Sequence, residues 1–233
     1  MKRIIGVITL VSIAMALVAC AGSGDKEQQA NQSPEKTIAA TIEDKNIYLD
    51  EAQYYLYTTQ ATYEVYYMAQ NKEINWKKKH GKSTLEDVAK GAALDKICKI
   101  TCFAQLKKEY NIEIDAQARE EIKKKADTYY TGSDENLKAK IDIKKARLMK
   151  LFEREYIAET VEDIMNTTED KSADKYYSKW LSNADVECMS CWNNIKFSTN
   201  IFSKDKLNQN ETATEGDEYE DNGHINVNEN EQQ

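Results

Sequence analysis

The sequence predicts a mainly α-helical domain that ends in a short extended segment, and three observations carry that reading. Between Asp50 and Asn166 there is no proline and only three glycines, Gly81, Gly91 and Gly132. Helix interiors tolerate these two residue types worst, at ~1 kcal/mol for glycine and ~3 kcal/mol for proline. Over the same stretch apolar residues return every three or four positions, which places them on one side of a helix. Residues suited to helix starts stand ahead of several of these runs.

Taken in chain order, Ile42 to Leu49 reads as a short extended lead-in. The first helix runs from about Asp50 to Ala69, with Ala52, Leu56, Thr59, Tyr63 and Tyr67 on one face. The second begins at Ser83, whose hydroxyl can accept the N–H of Glu86 while the Glu86 side chain reaches back, a capping box. Its stripe passes through Leu85, Val88, Ala92, Ile97, Ile100, Ala104 and Leu106 to about Tyr110. Asn111 suits a left-handed stop. Asp115 then caps a third helix through Ile122, Ala126 and Tyr129, which Gly132 ends. Ser133 caps a fourth and longest helix to about Met165, facing inward through Leu137, Ile141, Leu148, Phe152, Tyr156, Val161 and Ile164. A shorter helix spans Ser172 to Leu181. Val186, Trp192, Ile195 and Phe197 indicate extended structure from Val186 to Phe197. No internal repeat is present.

The two ends differ from this body. Lys2 and Arg3 precede an apolar run from Ile4 to Val18, shorter than the roughly 20 residues that a membrane span needs and suited to a secretory leader. The run closes on Leu17-Val18-Ala19-Cys20 followed by Ala21-Gly22, which resembles the bacterial lipobox. That resemblance implies cleavage before Cys20, lipid on its thiol, and a protein held at the outer face of the cell membrane. Each buried CH₂ of such chains contributes ~0.8 kcal/mol, so two or three chains anchor without a membrane helix. Residues 1–19 are thus a signal peptide and 20–36 a flexible tether rich in Ser, Gly, Gln, Asn and Lys. Residues 37–204 form the helical domain and 205–233 an acidic tail. From Leu207 to Gln233 the tail holds eight acidic residues and no Lys or Arg, with too few apolar side chains to offset the entropy of ordering. Disorder is expected there. The net charge of −8 argues against nucleic acid as a partner, because phosphate contacts need clustered cations.

The body itself resembles the core of SurA/PrsA-type extracytoplasmic foldases. The likeness rests on "IEDKNIYLDEAQYYLYTTQATYEVY" from Ile42, on "WKKKHGKSTLEDVAKGAALDKICKITCFAQLKKEYNIEID" from Trp76, and on "SADKYYSKWLSNADV" followed by Trp192. It implies an elongated multi-helix SurA/PrsA/trigger-factor-like chaperone core over roughly Thr41 to Phe197. The departure from the pattern is informative. Such proteins usually carry a parvulin-type prolyl isomerase domain where this chain has only Asn166 to Ser172, and a parvulin site uses paired histidines. Only His80 and His224 exist here, far apart in sequence. The resemblance therefore implies a non-catalytic holdase for unfolded segments of secreted proteins.

Fourteen tyrosines suit that role, since tyrosine joins broad apolar contact to a polar tip. On the first helix they cover more than one face, which leaves Tyr54, Tyr57 and Tyr66 as exposed client-binding candidates; packing between helices is the plainer alternative. Cys188-Met189-Ser190-Cys191 is a C-x-x-C pair, but Trp192 follows it and no βαβ pattern surrounds it. It reads as a structural disulfide or two thiols, with redox catalysis as a rival. Cys98 and Cys102 could complete a zinc site but sit among apolar neighbours, as core residues do. The sequence requires no metal, cofactor or small-molecule substrate, and it has no G-x-S-x-G and no phosphate-binding glycine loop. Glu153, Glu155, Glu159 and Glu162, interleaved with Arg147, Lys150 and Arg154, read as i,i+4 pairs on a solvated helix face. The basic run Lys77-Lys78-Lys79-His80, with Lys82, reads as a solvated turn that could touch anionic headgroups. A scaffolding lipoprotein that binds one folded partner through its tail is the alternative of a different class.

Overall fold

A computed structural model describes residues 32–167, 172–197 and 200–202. Cys20 and nearly all of the tether and the acidic tail lie outside them. The described residues are mainly helical, with seven helices and a small antiparallel sheet. Among them no helix is long and apolar enough to cross a membrane.

The lead-in starts earlier than the sequence indicates and folds back on itself. After a 3₁₀ turn at Pro34–Lys36, strand β1 (Ile38–Ile42) pairs antiparallel with β2 (Lys45–Tyr48). Glu43 makes the turn at φ +54° and exchanges hydrogen bonds with Asp185, its N–H donating to the Asp185 carbonyl at 2.7 Å. That tie holds the hairpin to a third strand, β5 (Val186–Cys188), which pairs antiparallel with β1. The sheet order is β2-β1-β5, so the N-terminal strand is central and Ala39, Ala40 and Ile42 are fully buried.

Helix α1 (Leu49–Ala69) leads to a small hairpin, β3 (Lys79–His80) and β4 (Ser83–Thr84). Gly81 opens its two-residue turn at φ +64°, a conformation that only glycine adopts without strain. Helix α2 (Leu85–Ala104) begins one residue later than the sequence suggests. Ser83 and Thr84 pair with His80 and Lys79 in the ladder, and Thr84, the last residue of the strand, is the cap. The Asp87 carboxylate accepts from the Thr84 N–H at 2.8 Å and Asp87 N–H donates to the Thr84 hydroxyl at 3.2 Å. Glu86 instead pairs with Lys90 at 2.9 Å.

Asn111 takes the left-handed stop at φ +53°, and Asp115 caps α3 (Ala116–Gly132). The expected fourth helix is two. Asp134, not Ser133, caps α4 (Glu135–Lys140), and α5 (Lys145–Thr167) starts after a break. Ile141 and Ile143 are both buried and alternate with exposed Asp142 and Lys144, a period of two that a helix cannot satisfy. The Tyr130 hydroxyl donates to the Ile143 carbonyl within that break.

Ser172 caps α6 (Ala173–Leu181). Beyond β5 the chain is not extended throughout, for α7 (Ser190–Asn194) interrupts it. One turn of helix turns Trp192 into the core. Helix α2 lies between α1 and α5, with α3 on α5 and α6 across α2 and α5. The core comprises residues such as Leu56, Ala93, Ile97, Phe103, Leu148 and Val161.

The charges of α5 depart most from the sequence reading. They are not paired along the helix but across helices. Arg147 grips Asp50 with two hydrogen bonds of 2.8 Å, and Arg154 pairs with Glu51. Glu155 is buried between Lys96 at 3.2 Å and Lys125 at 2.6 Å, and Lys99 reaches Glu162 at 2.5 Å. Burial pushes the Glu155 carboxyl up, but the two ammonium groups outweigh it and hold it below its usual range.

Candidate functional site

The tyrosines of α1 divide into three fates. Tyr54 is only 9% exposed, with its ring edge-on to Tyr55, Tyr129 and Phe152, and this overturns its expected exposure. Helices α3 and α5 close over that side of α1, which its own periodicity does not reveal. Tyr57 is half-buried against Phe197, with the Lys140 ammonium 5.1 Å from its ring centre. Tyr66 is at the surface, 42% exposed, and its neighbour Val65 is 47% exposed.

Val65 and Tyr66 share one face with Thr62 and Ala69, all four exposed and none charged. The spacing is i, i+3, i+4, i+7, so the last two turns of α1 turn an uncharged stripe to solvent. Sequence reasoning placed Tyr66 there but missed Val65, since the same spacing equally marks a buried face.

Beside this stripe lies a cavity of about 280 Å³ lined by Glu64, Tyr67, Met68, Lys72, Ile74 and Phe202, among others. Its floor is a buried carboxylate. Glu64 accepts from the Gln60 amide at 2.7 Å and from the backbone N–H groups of Ile201 and Phe202 at 2.7 and 3.0 Å. Burial pushes its carboxyl above the usual range despite those donors. The C-terminal part of the described chain is held down by side chains rather than by a ladder. Lys90 donates to the Ile195 carbonyl, the Trp76 indole N–H to Asn200 at 3.2 Å, and the Asn136 amide to the Ile201 carbonyl at 3.0 Å. Phe197 packs edge-on against Trp76 at 5.0 Å and is fully buried, as is Ile201.

The cysteines among the described residues, Cys98, Cys102, Cys188 and Cys191, are thiols. Cys188 pairs with Ala40 in the sheet, and the Cys191 thiol donates to the Ile38 carbonyl at 3.2 Å. Burial pushes the Cys191 thiol up, away from the thiolate that redox exchange uses. Cys98 and Cys102 lie in the core, where burial raises both to about 12. No group of three or more metal-ligating side chains occurs among the described residues.

Lys77, Lys78, Lys79, His80 and Lys82 are all exposed on the β3–β4 hairpin. Trp76 roots this hairpin in the core, and its carbonyl accepts the Glu86 N–H at 3.0 Å. Compared with known proteins, the chain matches no family model, no curated protein and no solved structure.

Proposed function

We propose that the protein is a lipid-anchored extracytoplasmic holdase with a SurA/PrsA-like chaperone core, which binds unfolded segments of secreted proteins without isomerase activity. The observation that carries this reading is the uncharged stripe of Thr62, Val65, Tyr66 and Ala69 beside the cavity at Tyr67, Met68 and Phe202. An exposed patch of this kind, on a helix whose other side is firmly packed, suits brief contact with varied apolar segments. Two further features support it. Helix α6 follows α5 closely, so no catalytic domain stands between them, and the Leu17-Val18-Ala19-Cys20 motif would hold the body beside the membrane where clients emerge.

Light scattering of a chemically unfolded secreted protein tests the reading. The protein is expected to suppress aggregation at near-stoichiometric amounts. The double variant Val65→Ser, Tyr66→Ser should require roughly tenfold more, because burying the exposed parts of the two side chains together contributes ~1.5 kcal/mol. Absence of suppression across several clients overturns the holdase reading. Anchoring has its own test: in a bacterial host the wild type should fractionate with membranes and take up labelled fatty acid, and Cys20→Ser should do neither. Equal labelling of both would remove Cys20 as the attachment point.

A further inference from the structure

The basic hairpin is a cluster of like charges without carboxylates. Among the described residues, none of Lys77, Lys78, Lys79 and Lys82 forms an ion pair, although other exposed lysines, such as Lys45, Lys123 and Lys145, do. The nearby acids are committed: Asp87 caps α2 and Glu86 pairs with Lys90. Four ammonium groups on six consecutive residues repel one another, so an anionic partner here gains attraction and relieves that repulsion. The hairpin cannot splay to lower its own charge density. Trp76 is buried beneath it, and Lys78 accepts the Leu85 N–H at 2.8 Å through its carbonyl.

The place where the described chain ends supplies the partner. Asn200 is bonded to the Trp76 indole, and Phe202 forms one wall of a cavity whose other wall includes Lys72 and Ile74, just ahead of the hairpin. The described chain therefore ends beside the segment, Lys72 to Trp76, that leads into the strand pair carrying the lysines. Glu215, Asp217, Glu218, Glu220 and Asp221 follow 13 to 19 residues after Phe202. A connection of that length spans up to ~40 Å when extended, so reach is not limiting. Because it is covalently attached, the acidic run is present at an effective concentration of order millimolar. A separate acidic protein must be brought to the hairpin by diffusion, whereas the tail is joined to the body by the chain itself.

The geometry points to the β3–β4 hairpin as an intramolecular docking surface for the chain's own acidic tail, with Lys77, Lys78, Lys79 and Lys82 facing the run from Glu215 to Asp221. The contact is electrostatic and solvent-exposed, so it is weak per charge pair and sensitive to salt. This inference stands apart from the client-binding stripe and does not depend on it.

Pulse acetylation of lysines, read by mass spectrometry, tests the docking on the full chain and on the same chain ending at Lys206. The truncation leaves every residue through Phe202 in place. At low ionic strength the four hairpin lysines should react about fivefold more slowly in the full chain, and the difference should vanish in high salt. Lys45 and Lys123, exposed elsewhere, should react alike in both chains. Neutralising the five acids from Glu215 to Asp221 in the full chain should reproduce the truncated pattern. Equal hairpin rates in the two chains at low ionic strength overturn the proposal. So does protection spread equally to Lys45 and Lys123, which would mean a diffuse ionic cloud. Protection that needs anionic vesicles and ignores the tail would assign the hairpin to a membrane surface and likewise overturn it.

Discussion

Arg147→Ala is expected to lower the stability of the protein by about 3–5 kcal/mol, the range found when one partner of a buried ion pair is removed. The reason is what remains. Asp50 is 1% exposed, and without the guanidinium its carboxylate keeps only the adjacent Glu51 N–H at 2.9 Å. A buried carboxylate so poorly paired must either bring in water or take up a proton, and both cost folding free energy. Arg147 also covers the Tyr48 ring at 5.0 Å, so some packing is lost as well. Arg147→Lys should recover only part of the loss, since an ammonium group cannot hold both Asp50 oxygens in a fork. Asp50→Asn combined with Arg147→Ala should be more stable than Arg147→Ala alone. Urea unfolding midpoints of the four proteins check this. A change below ~1 kcal/mol for Arg147→Ala would mean that the pair is solvated and the α1–α5 joint is held by packing alone.

Phe103→Ala should cost a similar amount, about 3–5 kcal/mol, for a different cause. Phe103 is fully buried at the end of α2 and lies under Tyr176 and Tyr177 of α6, with both ring centres 6.2 Å away. Removing the ring leaves a void that two helices would have to move to fill. The Tyr177 hydroxyl cannot follow freely, because it donates to the Asp95 carboxylate at 2.6 Å. Tyr177→Phe gives a scale for that bond, whose acceptor is charged, and should cost about 1.5–3 kcal/mol, less than the cavity. Thermal or urea unfolding distinguishes the two variants. If Phe103→Ala costs no more than Tyr177→Phe, α6 collapses onto α2 easily and its docking contributes little to the fold.

Much of the architecture was legible because its signals are local. Asp115 and Ser172 cap their helices by bonding N–H groups three residues on, Asn111 takes a left-handed stop, and Gly132 ends α3. Each needs only its immediate neighbours. The capping box of α2 slipped by one residue because the chain stays in a strand pair through Thr84 before the helix starts, and the short basic turn does not announce that pair. The split at Ile141 to Lys144 was hidden in an apolar pattern that a helix stripe and an extended pair satisfy almost equally.

The candidate site was less legible. Tyr66 reached the surface, whereas Tyr54 did not, and the difference lies in α3 and α5, far along the chain. Glu64 gave no sign of its role, since its donors at Ile201 and Phe202 come from the opposite end of the chain.

By itself the sequence determined the helical class, the start of most helices and the charge of the tail, because propensity, capping and periodicity act over a few residues. Only the tertiary structure decided which strand is central, which tyrosines are covered, and that the arginines of α5 serve α1 instead of their own helix. Those outcomes depend on surfaces meeting across more than a hundred residues of chain in places, as when β1 pairs with β5, and burial alone sets what each charge or ring must find there.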